Sequence, residues 1–270
     1  MTTVKINVYC KSYGWLFDDL KRWFADFGAL PSEEPIPDAD AWICIRTQEL
    51  RSSPKPERTV VQIHDMRSYQ IGVAGCVSLV HPAQIDKLSG YGGRLKIDPI
   101  GSRDIVVGEL PPVPVIGFFC RESGTIKGSH LFSEAVTIAR EEVDFEVLMI
   151  GRNLDHIEGL GRYERRAAGP LDYQRITALV TCSISPMIPL SAYEACAAGR
   201  IVITTPRIWP EGSEWAMVRT AESVEGLAAR ICEAVKTPKR FRPEIPFSRE
   251  QWIRNQIEEA VKLATMPSPD

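Results

Sequence analysis

Two cations and one carboxylate are the residues best spaced for chemistry. Arg121 and Lys127 lie in "FFCRESGTIKGSHLF" (118–132), where an apolar strand gives way to a helix and Gly124 and Gly128 allow tight turns. Cations beside a helix N-terminus hold a diphosphate well, because backbone N–H groups, the helix dipole and the side chains act together. The same residues also suit an ordinary solvated loop. In "SPMIPLSAYEACAAGRIVITTP" (185–206) a loop enters a helix near Leu190 and Ser191, and Glu194 follows one turn in. There it can accept hydrogen bonds from the two neighbouring hydroxyls of a ribose. Alternatively it only complements the helix dipole, worth about 0.3–1 kcal/mol.

Other candidates are more local. His64 and Asp65 end an apolar run; Asp65 is a candidate base for an acceptor hydroxyl only if a transfer at this site inverts, and a histidine there is otherwise hydrogen-bonded to backbone. Gly14 follows the first strand and lets backbone approach a donor. Tyr13 and Trp15 beside it stack on an acceptor or join the core. Gly151 in "GRN" and the "GPLDY" stretch (169–173) are placed to frame a nucleotide base. His81, His130 and His156 have no comparable setting.

The elements that must position these groups alternate in type. "VKINVYC" (4–10) reads as a strand, followed by a helix with Leu16, Leu20, Trp23, Phe24 and Phe27 on one face and Gly28 at its stop. Strands follow at 41–46, 59–65, 75–82 and 94–102, with short or missing helices between them. After the prolines of "VVGELPPVPVIGFF" (106–119) the pattern restarts. It predicts strands at 114–119, 145–151, 178–185 and 200–205, and helices at 129–142, 171–178, 190–198 and 223–236. Ser248 and Gln251 make a capping box for a last helix, 248–264, with Ile253, Ile257, Ala260, Val261 and Ala264 on one face.

This is an α/β pattern of two Rossmann-like domains facing a central cleft, where ligands bind at the carboxyl ends of the strands. The expected domains are 1–109 on the acceptor side, 110–246 on the nucleotide side, and a helix and tail at 247–270 free to pack back on the first domain. A chain of 270 residues that is 44% hydrophobic and 25% charged is globular, and it holds no apolar run near the roughly 18 residues of a membrane span. Seven cysteines scattered singly read as reduced core residues. With no secretory signal in "MTTVKINVYCKS", they place the chain in the cytoplasm. A net charge of −3 gives no general pull toward nucleic acid. A local basic face is still available from Lys11, Lys21, Arg22, Arg46, Arg51, Lys55 and Arg67.

The fragments occur in an order that resembles the GT-B glycosyltransferases, specifically the retaining nucleotide-sugar enzymes of group 1. "VVQIHD" is similar to that family's strand ending in His-Asp. "GCVSLVHPAQIDKL" resembles its strand, serine and helix step, and "KIDPIGSRDI" the turn before the interdomain link. "CRESGTIKG" resembles its phosphate loop, with "EVLMIG" as the strand that follows. "AAGPLDYQRITALVTCSISP" and "PLSAYEACAAGRIVITTP" resemble its later motifs, the last being the most specific, over residues 59–206 in all. The resemblance implies that Arg121 and Lys127 neutralise a donor diphosphate and that Gly14, Gly128, Gly151, Leu190, Ser191 and Glu194 bind the donor, with Glu194 on the ribose. It also implies that His64 approaches the sugar, and that catalysis needs neither metal nor cofactor.

One position departs from the family. Where the family commonly carries a first glutamate, this chain has Pro186, which leaves a retaining or inverting outcome open. The expected partners are a nucleotide-sugar donor carrying UDP or GDP and an acceptor that is a glycan, a protein or a modified DNA base. Two alternatives stand beside this one, a non-catalytic nucleotide- or glycan-binding protein and a sugar-nucleotide epimerase.

Overall fold

Short β-rich runs separated by turns build the first sheet. The computed structural model describes residues 4–11, 15–64, 69–70, 74–80, 82–89, 91–98, 100, 102–120, 127–183, 189–206, 217–242 and 248–267. The chain divides into two units, Met1–Ile100 together with Phe247–Asp270, and Gly101–Pro246. The first unit contains β1 (Ile6–Tyr9), α1 (Trp15–Asp26), β2 (Leu30–Ser32), β3 (Ala41–Cys44), β4 (Thr59–Ile63), β5 (Tyr69–Gln70), β6 (Cys76–Leu79), β7 (Leu88–Ser89) and β8 (Arg94–Ile97). Its main sheet has the order β2-β1-β3-β4-β6-β8, and β5 pairs separately with β7. All of these pairings are parallel.

The second unit contains β9 (Val115–Cys120), α2 (Ser129–Ala139), β10 (Glu146–Gly151), β11 (Arg162–Glu164), β12 (Ala178–Thr181), α3 (Leu190–Ala197), β13 (Ile201–Thr204), β14 (Val218–Thr220) and α4 (Val224–Lys236). Its parallel sheet runs β11-β10-β9-β12-β13-β14. Counted within the unit this is 3-2-1-4-5-6, a doubly wound order whose direction reverses between β9 and β12. Strand alternation separates two cores. Ile116, Phe118, Val147, Met149, Val180 and Ile203 point to the side of α2 and α4. Val115, Phe119, Leu148, Ile150, Leu179 and Val202 point to the side of α3. Strands buried on both faces explain why the sequence shows them as unbroken apolar runs.

The last helix, α5 (Arg249–Thr265), belongs to the first unit, where it packs on β1, β3 and β4. Ser248 accepts a hydrogen bond from the Gln251 amide at 3.0 Å and caps it. Its buried face is only partly the expected one: Ile253 and Ala260 face inward as read, but with Trp252, Gln256, Glu259 and Leu263 beside them, and Ile257, Val261 and Ala264 are half-buried. The rotation follows polar partners, since Gln256 donates to Asp98 at 2.6 Å and to Ser78 at 3.0 Å, and Arg94 lies 2.6 Å from Glu259.

Other elements differ from the sequence reading. The stretch 171–178 is not an α-helix but a single 3₁₀ turn, Asp172–Arg175, because Asp172 turns back to accept from the Gly169 amide at 2.6 Å. The edge strand β2 escaped notice because it contains Pro31 and is largely exposed. It is fastened by the buried Asn7, which donates to the Leu30 carbonyl at 2.7 Å and to Ser32 Oγ at 2.8 Å. The residues before β9 are bonded into the second unit: the buried Arg200 donates to the carbonyls of Gly108 and Glu109 at 2.9 and 2.8 Å.

Candidate active site

Glu194 is set by a helix built from good helix formers. α3 starts after Pro189, whose extended φ of −63° and ψ of 143° lead the chain in, and it stops at Gly199 with φ of 70°. Ala192, Ala195 and Cys196 press it onto the sheet, so Glu194 ends only 5% exposed. A carboxylate at this depth needs partners. The phenol of Tyr173 donates to Oε2 at 2.6 Å, Arg103 Nε lies 2.8 Å from Oε1, and Arg103 Nη2 reaches Oε2 at 3.3 Å. Arg103 Nη2 also donates to the Ala168 carbonyl at 2.8 Å. Burial, followed by the charge of Glu194, holds the Tyr173 phenol well above its ordinary range, so it remains a donor.

Tyr173 is itself held on both sides. Its ring meets Phe119 edge-on at 5.3 Å, and Arg200 Nε donates to its carbonyl at 2.7 Å. Next to it four charges close a ring. Arg166 grips Asp172 through two bonds of 2.6 Å and Glu164 through bonds of 2.5 and 3.0 Å. Arg175 completes it with bonds of 2.5 Å to Glu164 and 2.9 Å to Asp172. The hydrogen bond from Arg175, joined by Arg166, brings the Glu164 carboxyl down to about 2.

Of the phosphate-loop candidate, Lys127 and Gly128 are described, and they meet Cys182 just past β12. Gly128 caps α2 with φ of 68°, and a Cβ there would stand 2.1 Å from the Cys182 carbonyl oxygen. Only glycine fits this position. Cys182 Sγ donates to the Gly128 carbonyl at 2.9 Å, which ties the start of α2 to the residue just past β12. Lys127 precedes it and is half-buried. Ser129, the first residue of α2, bonds His156 Nε2 at 2.9 Å, a contact that brings a histidine without a sequence role to this helix end. The start of α2 and the residue just past β12 are thereby joined at the carboxyl edge of the sheet, where its order reverses.

The remaining predicted residues separate. Leu190 and Ser191 open α3 and are half-buried. Gly151 ends β10, and its missing Cβ has a packing reason, because that atom would fall 1.7 Å from the Cys120 carbonyl oxygen of β9. His64 follows β4 in the first unit, with Nε2 3.1 Å from Gln62 Oε1 and its ring edge-on to Trp252 of α5 at 6.5 Å. Gly14, Asp65, Arg121, Tyr13, Arg67, His81 and Pro186 lie outside the described residues, as does the Trp15 side chain. His130 is exposed. Of the basic set in the first unit, Lys11, Lys21 and Arg22 are ion-paired with Glu34, Asp18 and Asp19.

An Asp-x-Asp triplet, Asp38 to Asp40, precedes β3 at the amino end of its sheet. Lys5 engages both acids, through Nζ to Asp38 at 2.6 Å and through its amide to Asp40 at 2.7 Å. Among the described residues no cluster of three or more His, Cys, Asp or Glu could hold a metal, and no helix is long and apolar enough to cross a membrane. All seven cysteines are free, and six are buried. The site residue that sequence reasoning missed is Arg103. A lone arginine in a turn carries no spacing signal, and its partner lies 91 positions away.

Residues 113–237 match the family model described as "Glycosyl transferases group 1". The matched segment lies wholly within the second unit and includes Lys127, Gly128, Tyr173 and Glu194, but not Arg103. The fold as a whole is similar to solved GT-B glycosyltransferases. A sucrose-phosphate synthase from Thermosynechococcus elongatus aligns with a TM-score of 0.67 at 12% identity, covering 97% of this chain and 94% of that one. A glycosyltransferase from Rickettsia africae ESF-5 gives 0.62 at 11% identity, covering 99% and 100%. The pneumococcal O-GlcNAc transferase GtfA, in complex with UDP and GlcNAc, gives 0.63 at 13% identity and covers 92% of this chain, which spans only 60% of GtfA. No curated protein sequence matches the chain.

Proposed function

We propose that the protein transfers a sugar from a nucleotide-sugar donor to an acceptor hydroxyl. The observation that carries this reading is the placement of Gly128 and Glu194 at the carboxyl edge of the second sheet, around its order reversal, inside the matched family segment. Glycosyl transfer expels a nucleoside diphosphate, so charge grows on the leaving group in the transition state. In this reading Arg121, Lys127 and the N-terminal amides of α2 receive that charge, with no metal ion or cofactor, and Glu194 takes the ribose hydroxyls. Leu190 and Ser191 offer the amides of α3, and Gly14 and Gly151 keep backbone close to the donor. UDP is the favoured carrier, since the similar pneumococcal enzyme is seen with UDP. His64 and Asp65 serve the acceptor side. The acceptor belongs to the glycan, protein or modified-nucleobase classes, and the pairing of Lys11, Lys21 and Arg22 weakens the case for DNA.

Pro186 at the position of the family's first glutamate favours one second reading, a domain that binds donor without turnover. Incubation with UDP-, GDP- and ADP-sugars separates the cases. A transferase releases nucleoside diphosphate, with rates unchanged by a chelator; an epimerase alters the sugar, and a binder does neither. Arg121→Ala and Lys127→Ala are each expected to lower turnover by about 10²-fold. Full rates in both variants would reject the leaving-group role.

A further inference from the structure

The run "KTPKRFR" (236–242) begins at the last residue of α4 and brings four cations and one aromatic ring that the proposed transfer does not use. Lys239 and Phe241 of this run line a cavity of about 310 Å³, together with Arg219 of β14 and with Arg230 and Glu233 of α4. We propose that this cavity is a second ligand site, suited to a small phosphomonoester, at the edge of the sheet opposite Gly128. α4 follows β14 from the carboxyl edge and runs back for 13 residues, about 20 Å, so its last turn reaches the amino edge. Ile201, the first residue of β13, forms a wall there. Lys239 and Phe241 also lie past the segment that matches the family model, which stops at 237.

Charge selects the ligand. Glu233 offers one oxygen to each arginine: Oε1 lies 3.5 Å from Arg219 Nε, and Oε2 accepts from Arg230 Nη1 at 2.9 Å. One carboxylate thus orients two guanidinium groups and neutralises only one of them. Lys239 has no acid partner among the described residues; its Nζ stands 4.9 Å from the centre of the Phe241 ring, and Arg219 Cζ stands 5.8 Å from it. The carboxyl end of α4 adds about half a negative charge, and a positive surplus still remains. Lysines at a helix end can serve that dipole alone, but Arg219 comes from a strand. The ring beneath is a fixed floor, since Phe241 packs on both apolar cores of the unit and its amide donates to the Gly199 carbonyl at 3.0 Å. A ring whose face holds cations is a poor platform for stacking a bare sugar or base, so the cavity suits an anion. Its volume is near the lower end of the roughly 300–1,000 Å³ of small-molecule sites, with room for a phosphate and a short polar body. Two guanidinium groups and an ammonium match the oxygens of a phosphomonoester better than they match one carboxylate.

Calorimetric titration of the full chain at low salt tests this. Ribose 5-phosphate, ribose, citrate and UDP are titrated into the wild type, Lys239→Gln, Arg230→Gln and Arg242→Gln, with circular dichroism confirming that each variant is folded. Arg242 is exposed and outside the cavity, and its variant is the control. The wild type is expected to bind ribose 5-phosphate and to ignore ribose. Lys239→Gln and Arg230→Gln should each weaken that binding by about 10-fold, the value of one hydrogen bond to a charged group. Arg242→Gln should leave it within about 2-fold. Affinity for ribose 5-phosphate should be the same in saturating UDP, because the two sites can be filled together. Displacement by UDP overturns the proposal by moving the phosphate to the donor edge, and equal weakening in all three variants overturns it by reducing the cavity to diffuse surface charge. Citrate bound as tightly as ribose 5-phosphate overturns the choice of a phosphomonoester, and a wild-type chain that binds neither overturns the site. A chain that binds ribose 5-phosphate as expected but ignores UDP supports this site and removes the donor reading.

Discussion

The two units cover similar parallel sheets in different ways. In the second, α2 and α4 close one face with Phe132, Ala135, Val136, Leu227, Ala228 and Ile231, and α3 closes the other with alanines, so contact there is almost wholly apolar. In the first, 3₁₀ turns stand between β3 and β4 and between β6 and β7, and a cover is brought back from far along the chain. α5 meets the sheet partly through polar groups, Gln256 on Ser78 and Asp98 and Glu259 on Arg94. Apolar closure is strong and tolerant, whereas polar closure is weaker but fixes one register, because each donor must find its acceptor.

The largest break in this contrast should come from the second unit. Phe132 is fully buried and stacked on Phe118 at 4.5 Å, so Phe132→Ala is expected to lower stability by about 3–5 kcal/mol in urea unfolding. Gln256→Ala in the first unit should cost less, about 1–3 kcal/mol, by leaving Asp98 short of a buried donor. The paired change Gln256→Leu with Asp98→Asn should restore part of that loss; a cost equal to the sum of the two single changes would show that the contact is not a register device.

Smaller again is a pH effect confined to the second unit. The folded Glu164 carboxyl sits at about 2 against an ordinary 4.5. Its contribution is therefore complete above pH 4.5 and fades as pH falls toward 2. Thermal melting should show that decline, and Glu164→Gln should flatten it; an unaltered acid slope would dismiss the ring of charges as a source of stability. The smallest effects compare like with like. Ser223 caps α4 by accepting from Gly226, as Ser248 caps α5, and each Ser→Ala change should cost about 1 kcal/mol in chemical denaturation.

The same contrast explains how much was legible beforehand. The central strands β9, β10, β12 and β13 are buried on both faces and show as apolar runs, and β3, β4 and β6 do so for the same reason. The edge strands β2, β11 and β14 are three residues long and mostly half-exposed, so they leave no periodic trace. The face of α5 was read only in part, at Ile253 and Ala260, because apolar periodicity cannot see that Gln256 and Glu259 are buried with partners. Gly128 and Glu194 were readable from the glycine between strand and helix and from an acid inside an alanine-rich turn. Arg103 was not, since long-range ion pairing carries no local pattern.

Because α5 is donated by residues 249–265, the sheet of the first unit cannot be finished until the second unit has been synthesised. The later half, whose helices α2, α3 and α4 all come from its own stretch of chain, is free to fold while the earlier half still waits with Phe24 and the β3 surface unroofed. A product cut short near residue 246 would therefore have a sound back half and a sticky front half, an unusual polarity of risk for a nascent protein.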